Sequence, residues 1–143
     1  MLFSLARAQN VILAGVKSVT IYDPSPCTSS DLGGNFYLTV EDLGKPRAAA
    51  CASKLSELNQ YVPITVATEL NPSGFSCCTV TTAMAASAVA DLNAKCREHN
   101  CSFIYSHTAG VFSQSFCDFG KEFIVRDKDG EQVTKGAKGA KGA

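Results

Sequence analysis

The sequence predicts an α/β fold: a Rossmann-like, mostly parallel sheet with helices on both faces and an antiparallel hairpin at one edge. Helical and strand patterns alternate along the chain, as in doubly wound sheets. The strand patterns are short apolar runs, typical of buried parallel strands. Two strand patterns follow each other near the C-terminal end, which favours a hairpin. With 143 residues, 45% of them hydrophobic, the chain can bury one core.

The first elements are predicted from a helical apolar stripe and a glycine. Ser4 can cap a helix that runs to about Ala14, and Gly15 can take the positive φ that closes it. The β-branched and aromatic stretch Ser18–Tyr22 predicts a strand. Asp23 then lies beyond the end of that strand, where ligand sites of open parallel sheets are found.

The remaining elements follow from the same rules. Segment Pro24–Gly34 is rich in Pro, Ser, Asp and Gly and predicts a loop, and Asn35–Thr39 should pack on the sheet. The spacing of apolar residues predicts helices over Pro46–Leu58 and Ala85–Glu98, the second ended by Asn100. Strands are expected at Ile64–Thr68, Phe75–Thr82 and Ser102–Ser106, with a hairpin of Val111–Asp118 and Lys121–Arg126 about Phe119-Gly120.

Composition excludes several function classes. The net charge is zero and charged residues are 18%, so nothing favours nucleic acid or a membrane surface. The longest apolar run is far shorter than the ~18 residues of a spanning helix. Seven cysteines inside predicted elements indicate reduced, mostly buried thiols, and hence a cytoplasmic and nuclear location. Residues 1–132 are expected to form the domain, and 133–143, a Lys-Gly-Ala repeat, a disordered tail.

The cysteines and histidines do not predict a metal site or a nucleophile. Cys77-Cys78, Cys96, His99 and Cys101 match no common zinc spacing, and neighbouring strand residues point to opposite faces. Structural thiols are the simpler interpretation. His107 and Asp118 could form an acid–base pair, although a loop histidine at a protein interface is the alternative.

Several motifs together resemble the ubiquitin-activating enzyme family. They are Asn-Val-Ile-Leu-Ala-Gly-Val-Lys-Ser-Val-Thr from Asn10, Tyr22-Asp-Pro, Asp42-Leu-Gly-Lys, Lys54–Pro63 and Phe116-Cys-Asp-Phe-Gly120. The resemblance runs from about Asn10 to Gln132. The smaller subunits of enzymes that activate other ubiquitin-like proteins are the second choice.

The resemblance implies a repeat of an ATP- and magnesium-dependent enzyme that adenylates the ubiquitin C-terminus. That family carries two adenylation repeats, and this sequence resembles the N-terminal, non-catalytic one. The catalytic repeat has an acid where this chain has Ser25, and an amide and a guanidinium where it has Gly33 and Gly34. Its magnesium-binding aspartate falls at about position 84, which is Met84 here. We therefore expect no catalytic residue, no metal and no cofactor in this chain, which alone should be inactive.

Three side chains are weak candidates for a nucleotide site. Asp23 could contact a ribose, or cap the turn after its strand. Lys45 and Arg47 match basic positions of the catalytic repeat and could bind phosphate, or be solvated charges at a helix start. The glycine-rich turn of the family would fall at about Leu2 and Ser4, so it is not present.

The hairpin supplies the candidate partner interface. Val111, Phe112, Phe116 and Phe119 could dock on the catalytic repeat, with ubiquitin or a ubiquitin-like protein as the further partner, or they could form local core. A dinucleotide-binding Rossmann enzyme and a free-standing interaction module are the alternatives from other classes.

The resemblance also implies that the chain begins inside its own fold, without the first strand, which is central in a doubly wound sheet. Unmet buried backbone groups cost ~1–3 kcal/mol each, against a net stability of ~5–15 kcal/mol. We expect the chain alone to be marginally stable or to aggregate, unless Met1–Leu5 pairs as a substitute strand.

Overall fold

A computed structural model describes residues 5–124 of the chain, and side chains from residue 8 onward. The proposed Ser4 cap, all but Leu5 of the substitute strand and the tail lie outside the described residues. In chain order the elements are α1 (Leu5–Leu13), β1 (Val19–Ile21), α2 (Ser29–Gly34), a 3₁₀ turn (Val40–Asp42), α3 (Arg47–Ser56), β2 (Ile64–Val66), β3 (Cys77–Val80), α4 (Ala86–Glu98), β4 (Ser102–Ala109) and β5 (Phe112–Asp118).

The N-terminal half packs two helices on a parallel strand pair. Gly15 has φ +75° and its amide donates to the Ile12 carbonyl, which confirms the predicted end of α1. β1 pairs in parallel with β2, Val19 opposite Ile64. The buried side chains of this half form one cluster, which we call the first core: Ala8, Ile12, Val19, Ile21, Cys27, Tyr37, Leu38, Ala48, Cys51, Leu55 and Val62.

A short helix replaces part of the predicted loop Pro24–Gly34. The backbone amide and the hydroxyl of Thr28 both donate to Asp31 Oδ2, at 2.8 and 2.7 Å, and α2 begins at Ser29. The carboxylate at the third helical position satisfies the amide that precedes the helix, which stabilises a helix start despite two terminal glycines. The prediction of a loop over this stretch was wrong from Ser29 onward.

The C-terminal half forms a second, separate cluster. β3 pairs in parallel with β4, and α4 packs on them. Asn100, at φ +51°, ends α4, because the Cys101 amide donates to the Cys96 carbonyl at 2.8 Å and the Asn100 amide to Arg97 at 3.2 Å. The second core consists of Cys78, Val80, Leu92, Cys96, Cys101, Phe103 and Tyr105.

The hairpin lies earlier in the chain than predicted. β4 and β5 are antiparallel, closed by the pair Ala109 and Phe112 around a two-residue loop. Gly110 has φ +60° at the first loop position, which is the requirement of a type II′ turn. The predicted hairpin about Phe119-Gly120 was wrong: Lys121–Ile124 form no strand, and residues 125–126 lie outside the described part.

The predicted fold class is confirmed, with one qualification on the sheet. Parallel pairs and an antiparallel edge are present, but within residues 5–124 they form two sheets, β1-β2 and β3-β4-β5. No described strand joins β1 to β3, so each half keeps its own core. None of the described helices has the length and apolarity needed to cross a membrane.

Candidate functional site

A cavity of about 400 Å³ opens where the chain leaves β1 and β3. Asp23 follows β1, and Thr81 and Thr82 follow β3, so both halves of the molecule contribute to it. This is the edge at which parallel sheets place ligands. The other polar side chains that line the cavity come from α2, the segment after it and the start of α3: Ser30, Asp31, Asn35, Tyr37 and Arg47.

Arg47 lies between two carboxylates at the cavity wall. Its Nε is 3.0 Å from Asp23 Oδ2, and its Nη1 donates to Asp31 Oδ1 at 2.9 Å. The three side chains are 21–32% exposed, so the group is partly shielded from water. Ion pairs shielded in this way are screened less by salt than pairs on the open surface.

The backbone brings these distant residues together. The segment that follows β1 runs beside the segment that precedes α3, with the Arg47 amide donating to the Ser25 carbonyl at 2.9 Å and the Cys27 amide to the Lys45 carbonyl at 2.8 Å. The Ser25 amide also donates to Asp23 Oδ1 at 3.1 Å. Asp23 therefore caps the turn after its strand, as the simpler of its two interpretations requires.

The charge of the site is set by this triad. Hydrogen bonds from the Thr28 hydroxyl and amide, and then from Arg47, hold the pKa of Asp31 below its ordinary value. One guanidinium thus faces two carboxylates, leaving a net negative charge at the wall. A phosphate would have to displace Asp23 or Asp31 from Arg47, and would meet their repulsion.

The second basic candidate is also paired. Lys45 Nζ donates to Asp42 Oδ1 at 3.1 Å, but the lysine side chain is 57% exposed. Lys45 does not line the cavity. The structure therefore does not bring Lys45 and Arg47 together as a cationic pair.

At the four positions where the resemblance implies a functional group in the catalytic repeat, this chain has no side chain that could replace that group. Ser25 is exposed in the turn, and Gly33 and Gly34 end α2. Met84 is partly buried and packs against the second core. Among residues 5–124, no group of three or more His, Cys, Asp and Glu side chains is arranged to hold a metal ion.

His107 and Asp118 are not brought together. His107 pairs with Gln114 in the β4–β5 register, whereas Asp118 pairs with Phe103. Four residues along β4 separate the two positions by ~13 Å. Asp118 instead binds Arg97 and Asn93 of α4.

Buried structural thiols were predicted at Cys77, Cys78, Cys96 and Cys101, and the last three are buried. These three lie within the second core, Cys77 is partly buried, and no disulfide links any of the seven. Burial raises the pKa of each of the four thiols. They are held as neutral thiols, which are poor nucleophiles.

The predicted interface residues are exposed rather than local core. Val111 and Phe112 are 95% and 78% exposed, and Phe116 and Phe119 are 44% and 40% exposed. Phe123, which is 66% exposed, packs against Phe119 at a ring-centroid distance of 4.9 Å. Phe116 contacts the second core through Phe103, at a ring-centroid distance of 6.2 Å. Exposed apolar side chains clustered along one segment are typical of interaction sites. We call Val111, Phe112, Phe116 and Phe119 the hairpin face.

The fold is that of an α/β domain that resembles the ThiF/MoeB Rossmann-like fold. E. coli MccB, solved with succinimide, superposes with a TM-score of 0.59 at 12% identity, over 70% of this chain and 33% of MccB. MccB solved with AMPCPP and SeMet-MccA gives 0.58 at 17% identity, over 71% and 33%. At these identities the likeness shows the fold alone. No family model matches the chain.

Sequence comparison identifies the relatives. Ubiquitin-activating enzyme E1 1 of Schizosaccharomyces pombe is 42% identical over 132 residues, which are 90% of this chain. Ubiquitin-like modifier-activating enzyme 1 of Homo sapiens is 40% identical over 129 residues, 87% of this chain. The chain is homologous to a segment of the ubiquitin-activating enzymes. It spans about 13% and 12% of the length of these two relatives.

Proposed function

We propose that this chain acts as the non-catalytic adenylation repeat of a ubiquitin-activating enzyme, a structural partner of the repeat that binds ATP and magnesium. The whole enzyme would adenylate the C-terminus of ubiquitin or a ubiquitin-like protein, in the cytoplasm and nucleus. The chain described here would contribute shape and contact surface, and no reacting group.

The observation that carries the proposal is the neutralised arginine of the cavity. Arg47 is the basic side chain among the residues that line the cavity, and its guanidinium is paired with both Asp23 and Asp31. A guanidinium binds phosphate through its N–H fork, so a fork already engaged by two carboxylates is unavailable. A cavity that presents two carboxylates to a polyanion suits a structural, non-catalytic repeat.

The hairpin face supports the second half of the proposal. Its four side chains lie within nine residues of the chain, at positions 111–119, and carry no charge. Association of such a surface with a complementary apolar surface removes it from water, which is favourable by about 25 cal/mol per Å² of apolar area. A partner repeat of the same fold class is the surface we expect to cover it.

Three measurements on the purified full chain test the proposal. ATP titration by calorimetry with magnesium present should show no saturable binding, and the chain with ubiquitin should not exchange pyrophosphate into ATP. The chain should be retained by an immobilised catalytic repeat of a ubiquitin-activating enzyme. Saturable ATP binding that is lost in Arg47→Met, or pyrophosphate exchange, would overturn the scaffold role.

A matched pair of variants assigns the contact surface. Phe112→Ser should weaken retention by the catalytic repeat at least about tenfold, the equivalent of ~1.4 kcal/mol. Tyr61→Ser removes an aromatic ring that is 94% exposed and lies in the other half of the molecule, so it should bind like the unchanged chain. Equal retention of the two variants would place the contact elsewhere.

A further inference from the structure

Within residues 5–124, β5 is an edge strand without the usual protection. It pairs with β4 on one side, and no described strand pairs with the other side. Six of its seven residues are exposed. Natural edge strands usually carry lysine, proline or a bulge that discourages pairing with another chain. Residues Phe112–Cys117 contain neither a charge nor a proline.

The first five residues of β5 read the same in both directions about Gln114. Their sequence is Phe112-Ser-Gln-Ser-Phe116. When two identical strands pair antiparallel about a two-fold axis at Gln114, Phe112 of one lies opposite Phe116 of the other. Ser113 then lies opposite Ser115, and Gln114 opposite itself. A two-fold interface requires this kind of self-complementary surface.

The backbone N–H and C=O groups of β5 alternate between the two sides of the strand in the order that this register requires. Since Ala109 and Phe112 close a two-residue hairpin, Phe112, Gln114 and Phe116 direct their backbone groups toward β4. Ser113 and Ser115 therefore direct their N–H and C=O groups outward. In the register centred on Gln114 these two residues form hydrogen-bonded pairs with the second copy, twice by symmetry.

The side chains of β5 favour the same register as its backbone. Phe112 and Phe116 occupy the non-hydrogen-bonded pairs, in which side chains on neighbouring strands are closest. Aromatic cross-strand pairs are favourable, and like charges placed opposite each other are not. The two aromatic pairs would cover rings that are 78% and 44% exposed in the single chain, without bringing any charges together.

We infer that two copies of this chain associate through the outer edges of β5, antiparallel about Gln114, and join their three-stranded sheets into one of six strands. The inference does not depend on the proposed function, because it requires only the backbone edge and the palindromic side chains of this chain. Since Phe112 and Phe116 also belong to the hairpin face, a chain paired in this way does not dock on the catalytic repeat at the same time.

The test is the oligomeric state of the full chain and of two serine variants. Sedimentation over a dilution series should show a monomer–dimer equilibrium. Ser115→Pro removes an outward N–H without touching the β4 ladder, and should weaken dimerisation at least about tenfold. Ser115→Thr keeps the N–H and should dimerise like the unchanged chain. A chain that stays monomeric at about 100 µM, where a micromolar dimer would be fully formed, overturns the inference.

Disulfide trapping fixes the register and does not depend on the proline variant folding. Gln114→Cys, in a Cys117→Ser background, places two thiols opposite each other across the two-fold axis and should give a covalent dimer on mild oxidation. Ser53→Cys in the same background, exposed on α3, should not. The inference is overturned if the chain dimerises but Ser115→Pro leaves the dimer intact and Gln114→Cys does not trap it. Such a dimer would form through another surface. A monomer that still binds the catalytic repeat overturns it and leaves the proposed function standing.

Discussion

Arg97 holds Asp118 by two hydrogen bonds, from Nε to Oδ2 at 2.6 Å and from Nη2 to Oδ1 at 2.9 Å. Asn93 Nδ2 adds a third at 2.8 Å and the Gly120 amide a fourth at 3.0 Å. The carboxylate thus ties the turn after β5 to α4. The Asp-Phe-Gly sequence that carries the family resemblance has a structural role here.

This anchor is expected to weaken in acid. Hydrogen bonds from Arg97, then Asn93 and Gly120, hold the pKa of Asp118 at about 2, below its ordinary 3.8. A carboxyl with a lower pKa in the folded state stabilises the fold above its unfolded pKa, and that contribution is lost as pH falls through the folded pKa. Urea midpoints should therefore fall between about pH 4 and pH 2 and be flat above about pH 5.

The variant Asp118→Asn separates this carboxyl from the others. It should be less stable than the unchanged chain at pH 7, and its midpoint should fall less between pH 4 and pH 2. Asp42, whose pKa is also about 2 because of Thr39 and Lys45, lies in the other half of the molecule. Asp42→Asn should therefore leave the contribution of Asp118 in place. Parallel pH profiles of Asp118→Asn and the unchanged chain would contradict this account.

Elements with a strong local signal were predictable from sequence. The helix over Pro46–Leu58 appears as Arg47–Ser56, and Gly15 and Asn100 end their helices at positive φ. The hairpin was placed wrongly because two glycine turns compete in this stretch. Gly110 satisfies a two-residue loop between strand-forming residues, whereas the amide of Gly120 is held by Asp118.

The candidate site was only partly predictable, because its defining contact is not local. The sequence singled out Asp23 and Arg47 separately, 24 residues apart, and did not predict that they pair. Asp31 was missed because its stretch was interpreted as a loop. The capping pattern of Thr28 and Asp31, three residues apart, is the signal that could have found it.

The triad at the cavity should contribute to stability through its cation. Arg47→Met leaves Asp23 and Asp31 near each other without a counter-charge, and an unpaired, partly buried charge costs ~1–3 kcal/mol. Urea denaturation at pH 7 should show a loss of that size. The control is Lys45→Met, which breaks an exposed pair and should cost less than ~1 kcal/mol. Equal losses for the two variants would show that the triad adds no more than a surface pair.

Thiol reactivity should follow burial. Of the seven cysteines only Cys117 is exposed, while Cys27, Cys51, Cys78, Cys96 and Cys101 are buried. A chromogenic disulfide reagent should modify one thiol quickly in the native chain and all seven in urea. Cys117→Ser should remove the fast phase. A fast phase that persists in that variant would mean that a buried cysteine is reached by local opening.

The two separate cores predict that the halves of the chain lose structure independently. Leu55 is fully buried in the first core and Phe103 in the second. Leu55→Ala should cost ~2–5 kcal/mol, because the lost contacts leave a cavity. Since no described strand joins β1 to β3, hydrogen exchange should lose protection in α3 and β2 while β3 and β4 keep theirs. Phe103→Ala should give the reverse pattern. Loss of protection in both halves with either variant would show that they unfold as one unit, and that contacts across the cavity couple them.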